Sequence, residues 1–325
     1  MRAMLIANPI ATSITPAARE LVTHALESRV QLTIVNTEHA GHANELGRTA
    51  VAQGYDLVVV HGGDGTVSAV VNGMLGRPGS TPQGPVPALG VIPGGSANVL
   101  ARALGIHRDP AAASNQLIDL LDEYEQHRQW RRISLIDCGE IYALVNAGMG
   151  VDAEVVEAVE KEREKGHKIT PLRYWRVAVP VSVRFSRRDP NLILELPDRD
   201  PVSGVHFVWV SNTNPWTYSD DRPMVTNPGC SFESGLGIFA LTSMKLIPTL
   251  RLLRQLLAKR PKLEAKQLIR DDDVSYARIT KMAEPAACQY DGEYLGLRES
   301  MTFRVVPNAL AVAAPAPGSQ PETGH

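Results

Sequence analysis

Residues 57–72 read LVVVHGGDGTVSAVVN. A run of apolar β-formers, 57–60, leads straight into Gly62-Gly63-Asp64-Gly65-Thr66, and a helical pattern follows. A buried strand that ends in a glycine turn and opens a helix is the repeating unit of a parallel, doubly wound sheet. The turn also has a chemistry. Glycines let the backbone approach an anion closely, and a helix N-terminus offers free N–H groups at the positive end of its dipole. An acid inside such a turn repels phosphate unless a divalent cation, or a proton to be moved, stands beside it. Asp64 therefore points to metal or acid–base work, the alternative being a tight strand–helix turn in which it serves as a cap.

The pattern recurs at 89–102, LGVIPGGSANVLAR, where a strand ends in Pro93-Gly94-Gly95-Ser96 and a helix follows over about 96–104. Two glycine turns at the carboxyl ends of strands in one parallel sheet face the same crevice. Ser96 is either a helix cap or a hydroxyl donor to phosphate. The chain has no GxxxxGKS loop and no GxGxxG turn after its first strand, which argues against the common phosphate-loop and dinucleotide readings. Outward from these turns, AMLIA (3–7), QLTIV (31–35) and the helical stretches 16–29, 41–53 and 110–127 complete a doubly wound α/β domain over residues 1–129. A Pro/Gly-rich loop spans 77–87.

From Trp130 the grammar changes to short β-like runs such as RISLIDCGEIYALVNAG, LILELP, GVHFVWVSNT and MTFRVV, separated by Gly, Pro and Asp. Such runs predict an antiparallel β-rich sandwich domain over 130–314, with helical insertions at about 152–184 and 247–259. The last stretch, 315–325, is Pro- and Ala-rich without periodicity and is expected to be disordered.

The chain has 325 residues with 33 Lys+Arg against 35 Asp+Glu, a net charge of -2. That balance excludes a generally basic nucleic-acid binder and an acidic disordered chain, and no nucleic-acid motif is present. Cys138, Cys230 and Cys288 stand far apart, without zinc-type or disulfide-framework spacing. No stretch approaches the ~20 apolar residues of a membrane span, and the apolar run 3–7 is too short for a signal-peptide core. The expected location is cytoplasmic, with any membrane contact peripheral and at the inner face.

Two basic runs lie inside the neutral sum. Residues 161–188 hold nine Lys/Arg against two Glu, and 245–266 hold seven against one. The first includes Leu172, Tyr174 and Trp175, and the second contains KLIPTLRLLRQLLAKR. Basic residues beside aromatic and leucine residues suit an anionic bilayer surface. The alternative is a pair of solvated helices that pack their Leu faces on the sandwich.

Taken together, Asn8-Pro9 after the first strand, GGDGT (62–66), PGGSAN (93–98), NAGMGVDAEV (146–155) and QYDGEYL (289–295) resemble the diacylglycerol kinase catalytic-domain family. That family includes bacterial soluble lipid kinases and the sphingosine kinases, and the likeness runs in order over about residues 1–314. It implies an N-terminal nucleotide domain, a C-terminal lipid domain, and ATP with Mg²⁺ as cofactors. Carried over position by position, the nucleotide contacts implied are Asn8, Thr37, Gly62, Gly63, Gly65, Thr66, Gly94, Gly95, Ser96 and Asn98. Asp64 matches the acid beside Mg²⁺ and the transferred phosphoryl group, and Glu293 the general base, with Asp64 the alternative base as in sphingosine-kinase-like members. The chain departs from the family in Ser96 for Thr, in Val99 for Asp, and in Ser234 within 233–237, where bacterial relatives carry an acidic structural-metal segment.

The activity implied is ATP-dependent phosphorylation of a hydroxyl of diacylglycerol or a related membrane lipid, at an anionic membrane surface, by a monomer or a homodimer. An NAD-kinase-like small-molecule kinase shares GGDGT and is the second reading. A catalytically weak nucleotide- or lipid-binding protein is the third, suggested by Ser234.

Overall fold

The computed structural model describes residues 1–9, 16–167, 171–219, 222–256, 258 and 263–318. The chain forms two compact units: Met1–Leu135 with Glu140–Tyr142 and the chain from Pro307 onward, and Ile136–Gly139 with Ala143–Val306.

The first unit runs β1 (Arg2–Ala7), α1 (Pro16–Glu27), β2 (Gln31–Asn36), α2 (His42–Ala52), β3 (Leu57–Gly62), α3 (Asp64–Leu75), β4 (Ala88–Pro93), α4 (Val99–Ala103), α5 (Pro110–His127) and most of β5 (Arg131–Asp137). Its parallel strands lie in the order β2-β1-β3-β4. Every residue of β3 and β4 is buried, as parallel strands covered on both faces require, and this is why both read as continuous apolar runs. The covering helices approach closely where side chains are absent. A Cβ on Gly73 would stand 2.1 Å from the Asn44 carbonyl oxygen, and one on Gly47 2.3 Å from that of Val70, so α2 and α3 meet through glycine. Helix α5 starts where the sequence says it should: Asp109 Oδ1 accepts the Ala112 N–H at 2.9 Å and Pro110 occupies the first turn.

The second unit begins in the end of β5 and, after the short β6 (Tyr142–Ala143), continues through β7 (Asn146–Met149), α6 (Val151–Glu164), α7 (Pro171–Ser186), β8 (Leu192–Glu195), β9 (Val202–Val205), β10 (Phe207–Ser211), β11 (Thr217–Ser219), β12 (Arg222–Met224), β13 (Leu236–Leu241), α8 (Leu246–Leu256), β14 (Leu268–Val274), β15 (Tyr276–Lys281), β16 (Ala286–Tyr290), β17 (Glu293–Arg298) and the start of β18 (Ser300–Val312). One antiparallel sheet has the order β14-β13-β10-β7-β16-β17, and a second carries β18-β15-β8-β9. Phe207, Phe239, Leu241, Leu252 and Leu256 share a core beneath the first of these. The last residues of β18 belong to the first unit, where Val312 pairs in parallel with Leu89 of β4. No local feature of 307–312 announces that return.

The fold class is the one the alternation of periods implies, a doubly wound α/β unit followed by an antiparallel β unit with helices. Two details differ. The helical insertion expected over 152–184 is two helices, because Gly166 turns into the left-handed region (φ 80) after α6 and Pro171 opens α7. The helix expected from 96 starts only at Val99, because Asn98 is left-handed (φ 48) and folds back on Gly95. Of the tail expected to be disordered, 319–325 lies outside the described residues.

Candidate functional site

In the first unit, all the motif residues of the nucleotide set stand at the carboxyl ends of four neighbouring strands. Asn8 follows β1, Thr37 follows β2, Gly62–Thr66 close β3 and open α3, and Gly94–Asn98 follow β4. Backbone hydrogen bonds tie these ends together: Asn8 N to His61 O (3.1 Å), Thr37 N to Ala7 O (2.9 Å), and Gly94 N to Gly62 O (2.9 Å). The Asn8 side chain donates to Thr66 Oγ1 at 3.0 Å, which orients the first hydroxyl of α3.

The two glycine turns abut. A Cβ on Gly95 would lie 2.7 Å from the Gly63 Cα, and one on Gly63 3.2 Å from the Gly95 Cα. Glycine at these positions lets the turns close on each other, with the Gly94 N–H given to Gly62 O and the Gly95 N–H to Asn98 Oδ1. Asn98 braces the second turn, its Oδ1 accepting from Gly95 N (2.9 Å) and its Nδ2 donating to Gly95 O (2.7 Å). Gly65 and Ser96 are exposed, whereas Gly62 and Gly94 are buried.

Asp64 caps no end of its own helix; the N-cap of α3 is Gly63. Its carboxylate instead reaches across to the second turn, where Leu100 N donates to Oδ1 at 3.2 Å and the amides of Asn98 and Val99 also point at it. Burial pushes its pKa up and these amides pull it back, with burial the larger effect. Asp64 thus bridges the two turns through its carboxyl group. A single half-buried carboxylate at the N-terminus of α3 fits Mg²⁺, which takes one or two protein carboxylates and completes its shell with water and phosphate oxygens.

In the second unit, Asp291-Gly292 forms the tip of the β16–β17 hairpin with φ of 46° and 81°. Two consecutive positive φ values are what a two-residue hairpin turn demands, and Asp-Gly supplies them. The turn makes Tyr290 and Glu293 the closing cross-strand pair. Tyr290 Oη donates to Glu293 Oε2 at 2.8 Å. Burial raises the Glu293 pKa, the Tyr290 hydrogen bond lowers it, and the neighbouring Glu160 charge raises it further. Asp291 has a structural role, since its carboxylate accepts the backbone N–H groups of Leu144 (2.8 Å), Val145 (2.9 Å) and Asn146 (3.2 Å). Gln289 holds the same neighbourhood, accepting from Gly292 N (3.0 Å) and donating to Asn146 Oδ1 (3.2 Å).

Asp152, in the first turn of α6, lies within NAGMGVDAEV, where nothing local distinguishes it from an ordinary acid at a helix start. Burial raises its pKa to about 7, against a lowering hydrogen bond from Gln289. Tyr290, Glu160 and Asp152 thus surround the Glu293 hairpin. Only Tyr290 had a sequence signal, its place before the Asp-Gly turn.

Ser234 locks a turn, donating to the Ser231 and Gly235 carbonyls at 3.0 Å and accepting from Ser231 N at 2.9 Å. The one set of three clustered metal-type side chains among the described residues is elsewhere, at His39, His42 and Glu45. There His42 Nδ1 accepts the Glu38 N–H (3.1 Å), which keeps the ring proton on Nε2 and leaves no lone pair for a metal. All three cysteines are free and buried.

The first basic run is partly neutralised by acids, two of which lie just before residue 161. Glu154 pairs with Arg188, Glu157 with Lys161, and Glu162 with Lys165 and Arg173. Lys168, Lys259, Arg260 and Lys262 lie outside the described residues.

Residues 2–123 match the family model of the diacylglycerol kinase catalytic domain. Over that segment the chain is similar to this family, as its motifs implied. It is 37% identical over 112 residues to the diacylglycerol kinase of Bacillus subtilis (strain 168), covering 33% of this chain and 34% of that one. It is 30% identical over 143 residues to a Chromohalobacter salexigens protein named "Probable lipid kinase YegS-like", covering 44% of this chain and 42% of the other. The matched stretches thus span only about a third to two fifths of these relatives. A solved diacylglycerol kinase from Bacillus anthracis str. Sterne has the same fold, with TM-score 0.70, 17% identity and 97% of each chain covered.

Proposed function

We propose that this chain is an ATP-dependent, Mg²⁺-requiring lipid kinase that phosphorylates a hydroxyl of diacylglycerol or a related lipid. The observation that carries the reading is the abutment of Gly63 and Gly95, bridged by Asp64, inside a segment of diacylglycerol kinase catalytic-domain sequence. Mg²⁺-ATP supplies the phosphoryl group and the positive charge that offsets its oxygens when bound.

The chain's own part is positioning and proton movement. The N-terminus of α3, approached closely because the turns beside it are glycine, holds phosphate oxygens, with Thr66 and Ser96 as hydroxyl donors. Asp64 holds the two turns in register through the amides of α4, and its carboxylate would hold the Mg²⁺ that offsets phosphate charge. Glu293 takes the proton of the lipid hydroxyl at Oε1 while Tyr290 holds Oε2. As the lipid O–H bond breaks, the oxygen bonds to the γ-phosphorus and ADP leaves. The enzyme works peripherally at an anionic membrane surface at the inner face, to which the unneutralised arginines of α7 and α8 are attracted.

The reading is tested by incubation with radiolabelled ATP and an extracted lipid pool, followed by chromatography. Label in a phospholipid monoester is expected. Label confined to a water-soluble acceptor such as a dinucleotide would replace the lipid reading with the small-molecule one.

A further inference from the structure

Helix α8 is apolar over a wider arc than a helix resting on a core needs. Leu252 and Leu256 face inward and join Phe185, Phe207, Phe239 and Met244 in the core of the second unit. At about 100° per residue, Ile247 falls nearly opposite them and Leu246, Leu250 and Leu253 occupy the flank between, so that these four form an outer stripe. All four are open to solvent, Leu246 at 72%, Ile247 at 64% and Leu250 at 54% of their full area. Contiguous exposed aliphatic side chains of this size mark a surface that something covers.

The charges say what. Arg254 and Arg251 stand beside Ile247 on the helix, Lys245 immediately precedes it, all three are exposed, and 245–256 contains no acid. None of the three makes an ion pair among the described residues. Helix α7 repeats the arrangement in the same unit: Trp175, Val179 and Val183 are exposed at i, i+4 and i+8. Arg176, Arg184 and Arg187 stand beside them, also without ion pairs among the described residues. A second copy docked face to face would oppose like charges. An anionic bilayer meets both needs at once, taking the aliphatic side chains below the headgroups and the guanidinium groups at them. No described helix is long and apolar enough to cross a membrane, so the contact is interfacial.

We infer that α8 inserts its outer stripe, Leu246, Ile247, Leu250 and Leu253, into the interfacial layer of an anionic bilayer, with the outer face of α7 as a second contact. This deepens the lipid-kinase reading, on which it rests for its use, by adding a salt-resistant apolar anchor to simple charge attraction.

The experiment uses the full chain with vesicles of phosphatidylcholine, alone or mixed with phosphatidylglycerol, at low and high NaCl. Wild type should sediment with the mixed vesicles and keep part of that binding at high salt. The double variant Ile247→Ser/Leu250→Ser should bind about tenfold more weakly or worse and lose the salt-resistant part. Arg251→Gln/Arg254→Gln should lose only the salt-sensitive part. Both should melt like wild type, since these side chains are exposed, and both should phosphorylate a short-chain diacylglycerol dissolved as monomer at the wild-type rate. Serine-variant binding equal to wild type overturns the insertion, as does a wild-type dimer in light scattering that the serine variant dissociates without any loss of vesicle binding. Stripe-dependent vesicle binding by a protein that phosphorylates no lipid would leave the insertion standing and overturn the kinase reading instead.

Discussion

Tyr290 Oη and Glu293 Oε2 stand 2.8 Å apart across the Asp291-Gly292 turn, so the residue that stabilises the carboxylate's charge is built into the hairpin that presents it. Burial favours the neutral acid and the tyrosine favours the carboxylate. In the proposed role of general base Glu293 must be ionised, so turnover should fall as pH drops through its raised pKa. Tyr290→Phe removes the lowering contribution and should move this acid limb to higher pH, with turnover at high pH little changed. Glu293→Gln should lower turnover by roughly 10²-fold or more and abolish the limb. Rate profiles of the three proteins check this; an unmoved limb in Tyr290→Phe would mean that another group titrates.

The closeness of Gly63 and Gly95 leads to a second expectation. A methyl group on Gly95 would sit 2.7 Å from a backbone carbon, which a flexible side chain cannot relieve. Gly95→Ala should weaken ATP binding strongly and cost about 1–3 kcal/mol of stability through overpacking. Gly63→Val should weaken ATP binding in the same way. Calorimetric titration with ATP, together with thermal melting, measures both effects.

The strut role of Asp64 and its proposed metal role are separated by substitution. Asn keeps an oxygen for the amides of Asn98, Val99 and Leu100 but has no charge for a metal. Asp64→Asn should therefore lose turnover and Mg²⁺ dependence at small cost in stability. Asp64→Ala should in addition destabilise by about 1 kcal/mol, as loss of a helix cap does. Turnover against Mg²⁺ concentration, with urea unfolding of both variants, distinguishes the two roles.

Asp152 titrates at about 7 in the folded chain, raised by burial above the ordinary value of 3.8. Between those values the folded state holds a proton that the unfolded state has released, so this group makes stability fall as pH rises through that window. A helix N-terminus favours the ionised form, but here desolvation outweighs it. Asp152→Asn should raise the melting temperature relative to wild type at pH 8 and much less at pH 4. Equal differences at both pH values would show that the aspartate is solvated.

What the sequence determined by itself is what depends on neighbouring residues. The glycine turns after β3 and β4, the start of α5 at Asp109-Pro110 and the Asp291-Gly292 hairpin follow from local backbone preferences, and the hairpin brings Tyr290 to Glu293 without help from the rest of the chain. Two-sided burial made the parallel strands legible for the same reason, as unbroken apolar runs. Tertiary structure alone decided what depends on residues far apart in sequence. Asp64 reads as a cap for α3, yet its carboxylate serves the amides of α4, 36 residues away. Asp291 reads as a turn residue, yet it clamps the backbone of 144–146. The leucines of 246–256 show that α8 is apolar, but the packing partner selects which stripe is buried, and that choice leaves Leu246, Ile247 and Leu250 facing solvent. Dihedral preference acts over a few residues, whereas burial and charge compensation act between surfaces that meet only once the chain has folded.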